Sequence, residues 1–484
     1  MLQELKKESN MTTTENGAAA YRSTQSACLD LFATCGALRS SEDLEIRHKF
    51  IRAYAEDPDT AMKILFFARD IRGGLGERNF FRIIIHYLAQ KKPKSILKNL
   101  ENIPEYGRFD DLMQLLDTPC EEALGNFIRE LLQADLDNLE KGKDVSLLAK
   151  WLPSVNSSGS REQAKKICRL LHMKEKEYRQ TLSKLRAKID IPETHLCNKD
   201  YSFDYEKLPS KALFQYRKAF LEHDQKRYEN YIENVTTNQT RMNTSTLYPY
   251  EIIHAVTSTS EQSLSQTLDA TWNALPDYTD GRNALAVIDG SGSMYSHYGK
   301  NPIKPIETAI SLGLYFAERN KGKFANHFIT FSTTPRLIEI KGNTLKDKVK
   351  YCMSYNEVAN TNISAVFALI LKTAVKYNLP QSELPELIYI ISDMEFDIGV
   401  EPSKTPLETA KHYYSQYGYR LPQVIYWDVD ARNEQFPVDM NEKGIALFSG
   451  SSPSLFRQAM SCDITPLGMM KNTLSSERYR NICA

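Results

Sequence analysis

The sequence predicts a chain of two parts, an α-helical solenoid or ring followed by a doubly wound α/β domain. Three observations predict it. Between about residues 26 and 262, apolar side chains recur at helical spacing in segments separated by short breaks. From about Gly281 onward, short β-rich apolar runs alternate with helical segments. That strand–helix–strand order implies parallel strands joined by crossover helices.

The elements follow in order. Residues 1–20 are rich in Thr, Glu, Asn and Gly, lack periodicity and read as a disordered arm. The helical part is placed at 21–275. Within it, 58–70 sets Ala61, Ile64, Leu65 and Ala68 at helical spacing. The turn Arg72-Gly73-Gly74-Leu75-Gly76 ends that helix, and it reads as a structural hairpin turn rather than a phosphate cradle. A second helix spans 77–90, with Phe80, Ile83, Ile84 and Tyr87 on one side and Pro93 beyond it. Another covers 119–139. Residues 235–248, rich in Thr and Asn, form a linker or long loop. No strict sequence repeat is present, so the solenoid rests on helix pairing alone.

The α/β domain is placed at 276–462. Its strands are predicted at 284–288, 327–331, 387–391, 423–427 and 445–448, with helices at 305–319, 363–377 and 406–417. Near-continuous apolar strands such as Leu387-Ile388-Tyr389-Ile390-Ile391 suit a sheet covered on both faces. Residues 463–484 lie beyond the last helix of this domain and are expected to pack back on the helical part.

Composition narrows the function classes. With 42% apolar and 25% charged residues the chain is of ordinary soluble type. No apolar run approaches the roughly 20 residues that span a bilayer. The polar amino terminus lacks a signal core. A cytoplasmic protein without membrane partners is expected. The eight cysteines form no CxxC pair, which argues for free thiols and against a thiolate zinc site. Net charge is zero, but residues 141–227 carry 20 Lys and Arg against 11 Asp and Glu. Such a block is either an anion-binding face or a set of solvated helix faces.

The strongest chemical signal is a set of oxygen-bearing side chains. Ligand sites of open α/β sheets sit at the carboxyl ends of the strands. Asp289-Gly290-Ser291-Gly292-Ser293 directly follows one predicted strand. Asn360-Thr361-Asn362 precedes a predicted helix, and Ser392-Asp393 ends the most apolar strand. A hard divalent cation takes oxygen ligands in near-octahedral geometry and keeps some water. Asp289, Ser291, Ser293, Thr361 and Asp393 offer two carboxylates and three hydroxyls to one ion. The bland alternative is that the two aspartates cap helices and bind turns.

These five residues resemble the metal-ion-dependent adhesion site (MIDAS) of von Willebrand factor A domains, over about residues 281–460. The resemblance implies one Mg²⁺ or Mn²⁺, with an acidic group from a partner completing its shell. A helical part ahead of such a domain resembles the TROVE, or Ro autoantigen, architecture. A group of related uncharacterised domains is similar in local strings: Ala68-Arg69-Asp70-Ile71-Arg72-Gly73-Gly74-Leu75-Gly76-Glu77-Arg78, Ile103-Pro104-Glu105-Tyr106-Gly107-Arg108-Phe109-Asp110-Asp111-Leu112 and Ala149-Lys150-Trp151-Leu152-Pro153-Ser154. The Ro resemblance implies a ring of HEAT-like repeats closed by the A domain. It also implies a ribonucleoprotein component that binds small Y-RNA-like non-coding RNA or single-stranded RNA ends.

Under that reading, Arg161, Lys165, Lys166, Arg169, His172, Lys174, Lys176 and Arg179 are the RNA-binding candidates. The first four share one broad helix face, which can neutralise phosphates without sequence choice. His172 and Tyr178 can stack on unpaired bases. The residue types alone favour Tyr178 as core and His172 as a surface or satisfied histidine. No Gly-x-Ser-x-Gly elbow or His-Glu-x-x-His motif is present, and no enzyme is expected. A metal-dependent protein-interaction scaffold without RNA is the alternative. A Mg²⁺-dependent nuclease is a third reading.

Overall fold

The structure is a computed structural model. It describes all residues except 40, 259–261, 280, 297–302, 356–360, 400 and 458–464, and all of their side chains except those of 2–4, 6, 262 and 263. Asn360 and Cys462 therefore lie outside the described residues.

The first twenty residues depart from the expected disordered arm. A helix, Leu2–Asn10, leads into β1 (Met11–Thr13), which pairs antiparallel with β2 (Ala19–Tyr21). Ala18, Ala19, Ala20 and Tyr21 are buried. Tyr21 and Phe436 exchange backbone hydrogen bonds of 2.8 Å in both directions, and Thr14 Oγ1 donates to Phe396 O at 2.5 Å. The partners lie hundreds of residues away, so local composition carries no trace of this ordering.

From Ala27 to Asn273 the chain is helical. Pro58–Arg69 shows why a boundary falls where it does. Asp57 accepts from Thr60 N at 3.1 Å, and Pro58 fills the first helical position, where no N–H is needed. Arg78–Lys91 and Glu121–Glu140 are the two other long predicted helices. Between Gln225–Thr236 and Pro249–Ser258 runs the Thr- and Asn-rich loop.

The carboxyl-terminal half holds six strands: β3 (Ala284–Asp289), β4 (His327–Phe331), β5 (Leu337–Glu339), β6 (Leu387–Ser392), β7 (Gln423–Asp428) and β8 (Ile445–Ser449). Their order is β5-β4-β3-β6-β7-β8, and all neighbours are parallel except β5, which runs antiparallel on the edge. The short β5 and the helix Leu345–Met353 are additions to the sequence expectation. The order reverses direction between β3 and β6. In sheets of this kind that reversal opens the crevice in which ligands bind, at the carboxyl ends of the strands.

Alternation along each strand assigns its two faces. Leu285, Val287, Ile388, Ile390, Val424 and Tyr426 pack beneath the helices Ile363–Lys376 and Pro406–Gln416. Ala284, Ala286, Ile288, Tyr389, Ile391 and Trp427 face the other way, into a core that continues without interruption through Phe32, Phe50, Phe66 and Phe81. One face of the sheet and the helical part thus share a single apolar interior.

The tail closes this junction. Pro466–Leu474 packs against Ala27–Thr34, Pro58–Arg69 and β8. Asp70, fully buried, accepts from both Arg478 Nη2 (2.7 Å) and Tyr479 Oη (2.9 Å), and the Arg478 Nε–H also points at it. Gly36 makes its own contribution: its N–H donates to Ser449 Oγ at 3.0 Å, and a Cβ there would stand 2.5 Å from the Ser449 carbonyl oxygen.

Candidate metal centre and basic face

β3 ends in Asp289 and β6 in Ser392, so the parallel register sets the two side by side. Ser392 Oγ donates to Asp289 Oδ2 at 2.5 Å, and Ser291 N donates to Asp289 Oδ1 at 2.8 Å. Ser291 Oγ lies 3.0 Å from Ser293 Oγ. Asp289 is 0% exposed, yet it makes no ion pair among the described residues. Burial first, and the nearby charge of Asp393 second, push its carboxyl up to about 7.

Asp393 is nearly buried and answers a different group. Its Oδ2 accepts from Arg432 Nη2 at 2.6 Å, and its Oδ1 accepts from Glu395 N at 3.3 Å. Arg432 also stands 4.0 Å from Asp430 and 3.7 Å from Glu15. Burial raises Asp430 to about 6, partly offset by Arg432, and Asp393 adds to the rise. Burial likewise raises Asp428 well above the usual carboxylate range.

Thr361 is buried and belongs to a neighbouring cluster. Its hydroxyl donates to the Glu395 carbonyl and accepts from Asn16 Nδ2 at 3.1 Å, while Asp397 Oδ1 lies 3.2 Å away. Asn16 Nδ2 also donates to Glu395 O at 2.8 Å. Glu395, 1% exposed, accepts from Asn433 and Gln435 at 2.6 Å each and from Glu15 N at 2.7 Å.

The five predicted ligands therefore stand on one sheet rim. Asp289, Ser291 and Ser293 form one hydrogen-bonded group, Asp393 faces Arg432, and Thr361 faces the 395–397 segment. The donor set suits a hard divalent ion, since it is all oxygen and its central carboxylate is buried without a cation. Among the described residues, the rim included, no group of three or more His, Cys, Asp and Glu could hold a metal ion. Sequence reasoning missed Arg432, Glu395, Asp430 and Asn16. One signal was legible: Asp428-x-Asp430-x-Arg432 follows a strand that ends at the same rim.

The basic candidates occupy two consecutive helices, Arg161–Leu170 and Glu175–Lys188, and the turn between them. Ala164, Ile167 and Cys168 bury the first helix; Tyr178, Leu182 and Leu185 bury the second. Arg161, Arg169, His172, Lys174, Lys176 and Arg179 are exposed. Lys165 and Lys166 are half-buried and already paired, with Glu162 at 3.0 Å and Asp117 at 2.5 Å. Tyr178 is core: its hydroxyl donates to Pro153 O at 2.9 Å. Arg186 is spent on the backbone, donating to Ala149 O and Leu152 O at 2.8 Å each.

The strings that carry the second resemblance meet in a structural network. Arg69 and Arg82 both bond Asp111, at 2.8 and 2.5 Å, and Arg108 lies 3.2 Å from Asp110. Gly74 has the Phe67 carbonyl where its Cβ would stand, so the glycine-rich turn is a close packing device. Among the described residues no helix is long and apolar enough to cross a membrane.

Comparison with known proteins agrees with a chain matched along nearly its whole length. Uncharacterized protein L728 of Acanthamoeba polyphaga mimivirus is 27% identical over 510 residues, covering 96% of this chain and 87% of that one. The crystal structure of Deinococcus radiodurans Ro (RSR) protein is similar at a TM-score of 0.36 and 13% identity, over 90% of this chain and 92% of that one. The family described as domain of unknown function DUF7788 matches residues 283–475, the sheet-bearing half. The family described as domain of unknown function DUF2828 matches residues 14–127 and 122–279, more than half of the sequence. The chain belongs to the DUF2828 family.

Proposed function

We propose that the chain is an RNA-binding protein of ribonucleoprotein type whose α/β half holds one Mg²⁺ or Mn²⁺ at an adhesion-type site. The helical half grips small structured non-coding RNA or single-stranded RNA through the face built by residues 161–179. One observation carries the RNA reading. Arg161, Arg169, Lys174, Lys176 and Arg179 are exposed on adjoining helices, and none has an acidic partner within ion-pair distance among the described residues. Free cations so grouped release counterions from a phosphate backbone. The von Willebrand A-like and Ro-like motifs of the sequence point the same way.

Asp289, Ser291, Ser293, Thr361 and Asp393 would hold the ion. Bound there, it supplies a positive charge that an acidic partner group can complete. Asp289 anchors it through a carboxylate already fixed by Ser291 and Ser392. Arg432 shares Asp393, so this chain's own guanidinium tunes how much negative charge remains for the ion.

The test is a salt titration of RNA affinity with the R169E/K174E/K176E/R179E variant beside the parent. Parent affinity is expected to fall steeply with salt, and the variant to lose at least tenfold with a slope lower by about one per cation removed. Equal affinity of the two proteins would refute this face. A second reading, a metal-dependent protein scaffold, is favoured by the buried, uncompensated Asp289. It requires Mg²⁺-dependent capture of an acidic peptide by protein that shifts no RNA.

A further inference from the structure

The helices Ile363–Lys376 and Pro406–Gln416 lie side by side on one face of the sheet. Both return from the carboxyl rim of the strands to the opposite rim, so they run in the same direction. Between them opens a cavity of about 440 Å³, within the range of small-molecule sites. Phe367, Leu371, Val375, Ala410 and Tyr414 give it an apolar body.

Its two ends differ in chemistry. At the end nearer the metal rim stand Ser364 and Thr409, whose side-chain oxygens are buried and have no hydrogen-bond partner among the described residues. Thr409 is only 3% exposed. A buried hydroxyl left unpaired is destabilising, and a ligand or a water bonded to it would recover that loss. At the other end Lys372 and Lys376 are exposed beside Tyr413 and Tyr417. Neither lysine has an ion-pair partner among the described residues, and no Asp or Glu lines the cavity. The lining thus carries positive charge at one end, apolar surface in the middle and unmet hydroxyls at the other.

We infer that this cavity is a binding site for an amphipathic organic anion: a carboxylate at Lys372 and Lys376, an apolar chain along Phe367, Leu371 and Tyr414, and a neutral polar end at Ser364 and Thr409. From Ser364 to Lys376 the helix rises roughly 18 Å, comparable with an extended twelve-carbon chain bearing polar ends. This site is separate from the proposed metal and RNA functions and does not depend on either.

The experiment uses the full chain and calorimetric titration with dodecanoate, 12-hydroxydodecanoate and dodecylamine below their micelle concentrations. The expected result is one saturable site for dodecanoate, a several-fold tighter one for 12-hydroxydodecanoate, and none for dodecylamine. K372E/K376E, a surface change that leaves the fold intact, is expected to weaken both acids at least tenfold. Thr409→Val, nearly isosteric, is expected to erase the preference for the hydroxy acid while leaving dodecanoate unchanged. Equal binding of dodecylamine, many weak sites per chain, or affinity indifferent to the lysine reversal would overturn the inference. A hydroxy-acid preference that survives Thr409→Val would overturn the assigned orientation.

Discussion

The buried carboxylates of the two halves are treated in opposite ways. In the helical half Asp111 is 0% exposed and meets Arg69 and Arg82, and Asp70 is enclosed by Arg478, Tyr479 and the Arg72 backbone. On the sheet rim Asp289 is just as buried, and among the described residues it meets the Ser392 and Ser291 hydroxyls and one backbone N–H but no cation. Asp393 adds negative charge close by, and the guanidinium of Arg432 faces Asp393. A buried charge that is paired holds elements together. One that is left unpaired costs stability until a cation or a proton arrives. The first arrangement holds the helical half and its tail together, and the second is where we propose that an ion is held.

The largest effect is expected where pairing is complete. Asp111→Ala strands Arg69, whose side chain is 3% exposed, together with Arg82. Removal of one partner of such a buried pair costs about 3–5 kcal/mol. Urea unfolding should show that loss for the helical half, and a change under about 1 kcal/mol would mean that the pair contributes nothing the interior needs.

Asp289→Asn is the opposite case. Without metal the variant is expected to melt at the same temperature as the parent or higher, because a buried charge beside Asp393 has been removed. In the parent, Mg²⁺ at about 100 times its dissociation constant should add about 2.7 kcal/mol, and the variant should gain nothing. A metal-free variant that melts well below the parent would show that Asp289 is structural, like Asp111. Arg432→Ala sharpens the contrast. It frees Asp393 from its ion pair, so Mg²⁺ affinity should rise several-fold by calorimetry; a fall would mean that Arg432 positions the site instead of competing for it.

How much of this was legible follows from where each partner lies in the chain. The five long strands stand close to their sequence positions because apolar runs such as 387–391 report burial on both faces directly. β5 escaped because three residues with only Ile338 buried make no pattern. Asp289, Ser291 and Ser293 could be read as a unit because a single turn carries all three. Asn16, Glu395 and Arg432 could not, since their roles arise from contacts with segments 38 to 380 residues away. The same holds for the basic face. Helical spacing groups Lys165 and Lys166 with Arg161 and Arg169, but the carboxylate that occupies Lys166 is Asp117, 49 residues upstream. Periodicity locates a face, and only the fold shows which of its charges are free.

The smallest expected effect lies at the surface of the helical half, where pairing is complete but solvent is near. His195 sits between Asp190 and Asp200, with Nε2 and Nδ1 at 2.6 and 2.8 Å from their carboxylates. Those two hydrogen bonds hold its pKa above the usual 6.5. A group whose folded value is raised contributes its stability fully below 6.5 and loses it as pH rises through the folded value. NMR titration of the ring should therefore give a midpoint above 6.5, and D190N/D200N should bring it back. The melting temperature should barely move across that range, because exposed ion pairs are worth little. A clear drop in melting temperature between pH 6 and 8 that vanishes in His195→Gln would show that this exposed pairing carries weight comparable to the buried pairs, and would erase the distinction between solvated and enclosed charge on which the reading of Asp289 depends.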